Sequence, residues 1–152
     1  MTFYQLASTI RSPGSSIGFL EFSPNGRFLA VGHGYSSVSL LDKTNGFGLK
    51  ISNATPTYPT ALAWETSKSF YVGLDDGRFI YYTIDLRGNQ LVKGPVDGRF
   101  CGAFPVTAIG LNKDRKILAV SVGPEVFIFQ RALTTSEFIC NYITAMNLRW
   151  PS

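Results

Sequence analysis

The segment Val106-Thr107-Ala108-Ile109-Gly110-Leu111 returns near the end of the chain as Ile143-Thr144-Ala145-Met146-Asn147-Leu148. Segments of the same type open two earlier stretches, Ile17-Gly18-Phe19-Leu20-Glu21-Phe22 and Pro59-Thr60-Ala61-Leu62-Ala63-Trp64. Anchored on Phe22, Trp64, Leu111 and Leu148, the copies are spaced by 42, 47 and 37 residues. Self-similarity at such a period describes an array of one supersecondary unit that buries its apolar faces against its neighbours.

Each unit repeats one grammar. An alternating segment leads into a short polar turn, and a second apolar segment ends in a small residue: Arg27 to Gly32, Ser69 to Gly73, Lys116 to Ser121. Leu20 with Phe22, Leu62 with Trp64 and Ile109 with Leu111 sit two apart, so each pair lies on one face of a strand. Ser23-Pro24-Asn25-Gly26 predicts a hairpin turn, with Pro presetting a negative φ and Asn-Gly accepting positive φ. Asp75-Asp76-Gly77-Arg78 predicts another. Third segments follow at 38–42, 79–83 and 126–130, nearly continuous in β-branched and aromatic residues in the last two, as in strands covered on both sides. Weaker fourth segments lie at 49–51, 90–92 and 137–140. Charged residues make up 16% of the chain and aromatics 14%, with 15 Gly and 8 Pro, a composition that suits short strands and tight turns and argues against a helical bundle or a disordered chain.

Four strands per unit at a period near 40 describe a propeller blade, and the pattern over about residues 17–148 resembles the WD-repeat β-propeller family. The family's repeat-ending Trp-Asp pair stands here as Leu41-Asp42, Tyr82-Thr83 and Phe129-Gln130, and its Gly-His pair is missing before each first strand. The expected fold is all-β, with blades of four antiparallel strands: about three blades plus the opening strand of a fourth. The expected single domain over 1–152 divides into blades near 16–54, 58–100 and 105–141, with a fourth begun at about 143–150. In 136–147, Thr134-Thr135-Ser136-Glu137 also fits a helix capping box, while the match to the third unit favours strand. Closed propellers have four to eight blades, so three readings stand: the leading part or a truncated form of a longer propeller, favoured here; a ring completed by a second copy; or a small ring closed by residues 3–10 acting as a strand.

The motifs that suggest chemistry have simpler explanations. Gly14-Ser15-Ser16-Ile17-Gly18 fits a G-x-S-x-G nucleophile elbow, but that elbow sits between a strand and a helix, and here a strand and a Pro-Asn-Gly turn follow. Gly32-His33-Gly34-Tyr35 lacks the third glycine and the helix of a dinucleotide loop, leaving His33 as a surface or hydrogen-bonding residue. Cys101 and Cys140 are 39 apart and the chain has one His, which reads as reduced thiols and not as a zinc site. No catalytic residue, metal site or cofactor is expected. The net charge of +4 is spread along the chain, so partners of the nucleic-acid or membrane kind are not expected. Without a signal peptide or an apolar run of membrane length, the chain is expected to be intracellular, cytoplasmic or nuclear.

The topology gathers the loops between second and third strands, and the links between blades, at one end. This assembles Tyr35, Tyr58, Arg78, Arg99 and Glu125, an aromatic and charged set of the kind enriched at protein interfaces. The function this supports is a non-enzymatic scaffold whose partners are other proteins, with a second copy or missing blades completing the ring. The alternatives are a propeller enzyme or lectin with a central-channel site, such as a metal-dependent lactonase, where Glu21 and Glu65 are the nearest acids, and a basic surface that binds nucleic acid or anionic lipid.

Overall fold

The period-2 alternation is met by strands that pair only with their neighbours in the chain. The computed structural model describes residues 3–11, 16–99, 104–131 and 138–143. Four strands, β1 (Ile17–Phe22), β2 (Phe28–His33), β3 (Ser37–Asp42) and β4 (Gly48–Ala54), form the first sheet. The second holds β5 (Pro59–Thr66), β6 (Ser69–Leu74), β7 (Arg78–Asp85) and β8 (Gln90–Arg99). The third holds β9 (Val106–Leu111), β10 (Ile117–Val122), β11 (Glu125–Arg131) and β12 (Phe138–Ile143). Every sheet is an antiparallel meander in chain order, so the fold is all-β and blade-like. The segment 138–143, open between strand and helix in the sequence, is strand. Ile143 pairs with Ile128 as the end of β12, and the rest of the predicted fourth opening strand lies outside the described residues.

The registers of the three sheets are equivalent. The anchors Phe22, Trp64 and Leu111 stand opposite Leu29, Phe70 and Leu118, and these stand opposite Leu41, Tyr82 and Phe129. Each first strand also carries an extra residue at one equivalent point. Ile17 faces His33 and Phe19 faces Gly32; Pro59 faces Leu74 and Ala61 faces Gly73; Val106 faces Val122 and Ala108 faces Ser121. The bulged residues are Gly18, Thr60 and Thr107. A bulge breaks the ladder locally and sharpens the strand's twist.

Alternation gives every sheet two apolar faces. The upstream face of sheet two, with Leu62, Trp64, Phe70, Val72, Leu74 and Ile80, packs on the downstream face of sheet one, with Phe28, Ala30, Val38 and Leu40. The upstream face of sheet three, with Val106, Leu118, Val120, Val122 and Phe129, packs on Ala61, Tyr71 and Phe79 of sheet two. Burying such a side chain stabilises by about 1.5–3 kcal/mol. Trp64, Phe70 and Tyr82 form a cross-strand aromatic row, with ring centroids 4.8 and 5.8 Å apart, and Phe79 meets Phe129 edge-on between sheets at 5.5 Å.

Small residues set how closely these layers approach. A Cβ on Gly73 would lie 2.4 Å from a Val106 methyl of the next sheet. At the β1–β2 turn, Gly26 alone takes positive φ (71°); Asn25 contributes through its side-chain oxygen, which accepts from the Arg27 amide and the Ser23 hydroxyl. The turn closes through a bond from the Gly26 amide to the Ser23 carbonyl.

Gly73→Ala forces a β-branched neighbour that cannot swing aside, and is expected to cost about 2 kcal/mol, read as a melting point lower by about 4–8 °C. Gly110→Ala, whose added Cβ would meet no heavy atom within 4 Å, is expected to stay within about 0.5 kcal/mol of the parent. Equal losses at the two sites would contradict this account of sheet spacing.

Candidate protein-contact face

Because strand direction alternates, the β2–β3, β6–β7 and β10–β11 turns leave the sheets at the same end as the β4–β5 link. Hydrogen bonds join the first two of these turns and the link into a rim. The Thr55 amide donates to the Ser36 carbonyl at 2.7 Å, and the Asp75 amide donates to the Tyr58 carbonyl at 2.9 Å. Within the link, the Thr55 hydroxyl donates to the Thr57 carbonyl, and the Thr57 hydroxyl donates to the Asp75 carboxylate. The first turn, the link and the second turn are thus one connected backbone.

The rim carries Tyr35, 68% exposed, and Tyr58, 52% exposed. Arg78 opens β7 and is held against Asp76 by Nε–Oδ2 and Nη2–Oδ2 contacts of 2.7 and 2.6 Å. Arg99 ends β8 opposite Arg78 in register, and its side chain lies outside the described residues. Glu125 is half-buried at the start of β11, on the corresponding turn of sheet three. The structure therefore brings Tyr35, Tyr58 and Arg78 onto one tied segment, with Glu125 on the next turn along. Thr55, Thr57 and Asp75, which do the tying, were not singled out in the sequence as site residues; Asp75 was legible only as a turn residue, since its bond to Thr57 is 18 positions away.

The other candidates have structural partners. Ser16 leads directly into β1, and its carbonyl accepts from the Gly34 amide. His33 lies in β2, its Nε2 2.9 Å from the Ser39 hydroxyl, and partial burial lowers its pKa. Glu65 is buried and accepts from the Tyr81 hydroxyl at 2.7 Å and from Ser69 at 3.3 Å. Glu21 is exposed on β1, partial desolvation raising its pKa. Cys101 lies outside the described residues, and only the backbone of Cys140 is described, in β12. Among the described residues, no group of three or more His, Cys, Asp or Glu side chains is placed to hold a metal ion, and no helix is long and apolar enough to cross a membrane.

At the opposite end of sheet one, Arg27 and Asp42 form a two-pronged ion pair at 3.0 and 3.2 Å. The Asp42 carboxylate also accepts from the Thr44 amide and hydroxyl. The bond from Arg27, helped by those from Thr44, outweighs burial and holds the Asp42 carboxyl well below the usual carboxylate range.

Residues 4–67 match the family model described as the anaphase-promoting complex subunit 4 WD40 domain. Among solved structures, the fold is similar to the β-propeller domain of Cps50 (Swd1) from Myceliophteria thermophila, with a TM-score of 0.65 at 13% sequence identity. That likeness covers 82% of this chain and 42% of the other, so the chain spans less than half the length of the propeller it matches. No curated protein matches the chain.

Since the folded state lowers the pKa of Asp42, its contribution to stability is present above the unfolded-state value and is lost as the pH falls through the acid range. Arg27 is 38% exposed, so screening limits the expected loss for Asp42→Asn to about 1 kcal/mol at neutral pH. Denaturation curves of parent and variant should converge as the pH drops below about 4. A gap that stays constant into acid would contradict this assignment.

Proposed function

We propose that this chain is part of a WD40-type β-propeller domain and acts as a non-enzymatic scaffold for protein–protein contacts within a larger assembly, presenting the rim around Tyr35 and Tyr58. The observation that carries this reading is the pair of exposed aromatic side chains on backbone tied by the Ser36–Thr55 and Tyr58–Asp75 hydrogen bonds. Tyrosine supplies a large contact area with only two side-chain torsions to immobilise, and a rigid base lowers the ordering cost of binding further. Arg78 and Glu125 add charges that would set orientation more than affinity. The matched family description names a subunit of a multi-protein complex, which agrees with an assembly role, and the identity of the partner follows from the test below.

Photo-crosslinking amino acids placed at 35 and at 58 are expected to capture the same protein from cell extract, and one placed at Asn25, at the opposite end of sheet one, is expected not to. Tyr35→Ala with Tyr58→Ala should weaken capture at least tenfold, as for hot-spot aromatics, while the melting curve shifts by no more than about 0.5–1 kcal/mol. Equal capture from all three positions, or capture unaffected by the double substitution, would remove the rim from the contact surface.

A further inference from the structure

Positive charge that is scattered along the sequence is sorted by the fold. Because each sheet is a meander, alternate turns leave it at the end opposite the rim: residues 23–27, 43–47, 67–68, 86–89 and 112–116. These turns hold seven cations, Arg27, Lys43, Lys68, Arg87, Lys113, Arg115 and Lys116, and one carboxylate, Asp114. The described turns and link at the rim, 34–36, 55–58, 75–77 and 123–124, hold Asp75 and Asp76 and no cation. Arg78 and Glu125 stand at the strand ends beside them.

The basic turns are tied together across all three sheets. Within sheets, the Lys43 amide donates to the Arg27 carbonyl at 2.9 Å, and the Ile84 amide to the Lys68 carbonyl at 2.8 Å. Between sheets, the Asn25 amide donates to the Ser67 hydroxyl and Arg115 Nη1 to the Trp64 carbonyl, both at 3.1 Å. Two arginine side chains are thus used inside the fold, Arg27 on Asp42 and Arg115 on that carbonyl. Lys43, Lys68, Arg87, Lys113 and Lys116 are exposed, and among the described residues no carboxylate lies at ion-pair distance from them. The neighbouring acids are engaged locally. Glu65 is buried under the Tyr81 and Ser69 hydroxyls, Asp85 accepts from the Arg87 and Gly88 amides, and Asp114 accepts from the Lys116 amide. Glu21 is exposed near the end of β1.

We infer that this end of the molecule binds the phosphate backbone of a nucleic-acid duplex without reading its sequence, through Lys43, Lys68, Arg87, Lys113 and Lys116. Four of the five are lysines, point charges that suit phosphates, whereas carboxylates of an acidic protein are matched best by the arginine fork. Packed sheets stand about 10 Å apart, so cations recur from turn to turn at about three times the 3.4 Å rise of one strand. These turns carry no exposed large apolar side chain, which leaves nothing to stack on unpaired bases or to enter a lipid surface. Neither a helix nor a projecting strand pair is presented for a groove, so the contact positions a duplex and specifies no bases. It uses neither Tyr35 nor Tyr58 and stands or falls apart from the rim.

The test is fluorescence anisotropy of a labelled mixed-sequence DNA duplex of about 20 base pairs, titrated with the full chain over a range of salt, with a melting curve for every variant. The expected Kd is about 10–100 μM at about 0.15 M salt, the same for unrelated sequences, with a slope of log K against log salt of about −4 for five contacts. Lys68→Gln and Lys116→Gln, on turns of different sheets, should each weaken binding about fivefold and flatten the slope by about 0.9, with an unchanged melt. Lys93→Gln removes the same charge from β8, outside the turns, and should stay within about twofold with the slope unchanged. Absence of binding, an affinity that barely changes with salt, or a slope lowered equally by all three substitutions would overturn the inference. So would a duplex bound no more tightly than polyglutamate of equal charge, which would point to an acidic protein segment. Vesicles of phosphatidylserine and phosphatidylcholine, matched in charge and bound as tightly as the duplex, would overturn it in favour of a membrane surface.

Discussion

A sheet that is apolar on both faces is stable only between two others, and this constraint organises the molecule. Sheet two shows the condition fully met. Its upstream row Trp64–Phe70–Tyr82 is buried against sheet one, and Tyr71 and Phe79 are buried against sheet three. The layers come this close because small residues, Ala30 and Gly73 among them, stand where the next sheet presses in. The bulge at Gly18, Thr60 and Thr107 occurs at the same point in each first strand, and at Gly18 and Thr60 it lies beside a carbonyl of the next sheet. Polar ties then fix the stacking. Trp64 donates its indole N–H to the Glu21 carbonyl at 3.2 Å, and Arg115 donates to the Trp64 carbonyl at 3.1 Å.

Those ties are not copies of one another. Asp42 is paired with Arg27, while the equivalent places in sheets two and three hold Thr83 and Gln130. Sheet two instead buries Glu65 under the Tyr81 and Ser69 hydroxyls, and Arg115 reaches across from the third hairpin. The common requirement is that the polar groups at the strand ends find partners once the sheets are packed. The repeat sets where the demand falls, and local sequence sets how it is met.

The fold was legible because its signals are local. Alternation, turn residues and spacing identified the strands and aligned Phe22, Trp64 and Leu111, and the register places each opposite its equivalent. The stretch around Phe138 was ambiguous because a capping pattern competes with strand-forming residues there. The open edge of β11, whose backbone groups require a partner, is met by β12. The recurrent bulge was not legible, since Gly18, Thr60 and Thr107 share no side-chain chemistry and the feature follows from strand twist. Of the site, topology alone put Tyr35, Tyr58 and Arg78 at one end. That they share a hydrogen-bonded rim depends on Thr57 meeting Asp75, a tertiary contact without a sequence pattern. Asn25 differed from expectation because Gly26 alone supplies the left-handed backbone, which frees the Asn side chain to bridge the turn.

The meander topology has a kinetic side. Each strand finds its partners within a few tens of residues, so a sheet can form before its neighbours have docked, and low separation between paired segments favours fast formation. Long-range dependence enters only when one finished sheet settles on the next, which couples nearest neighbours and no others. Amide protons should therefore exchange most slowly in β6 and β7, the inner strands of the sheet flanked on both sides. Within each sheet, protection should fall from the inner strands to the outer ones as a graded series of local openings.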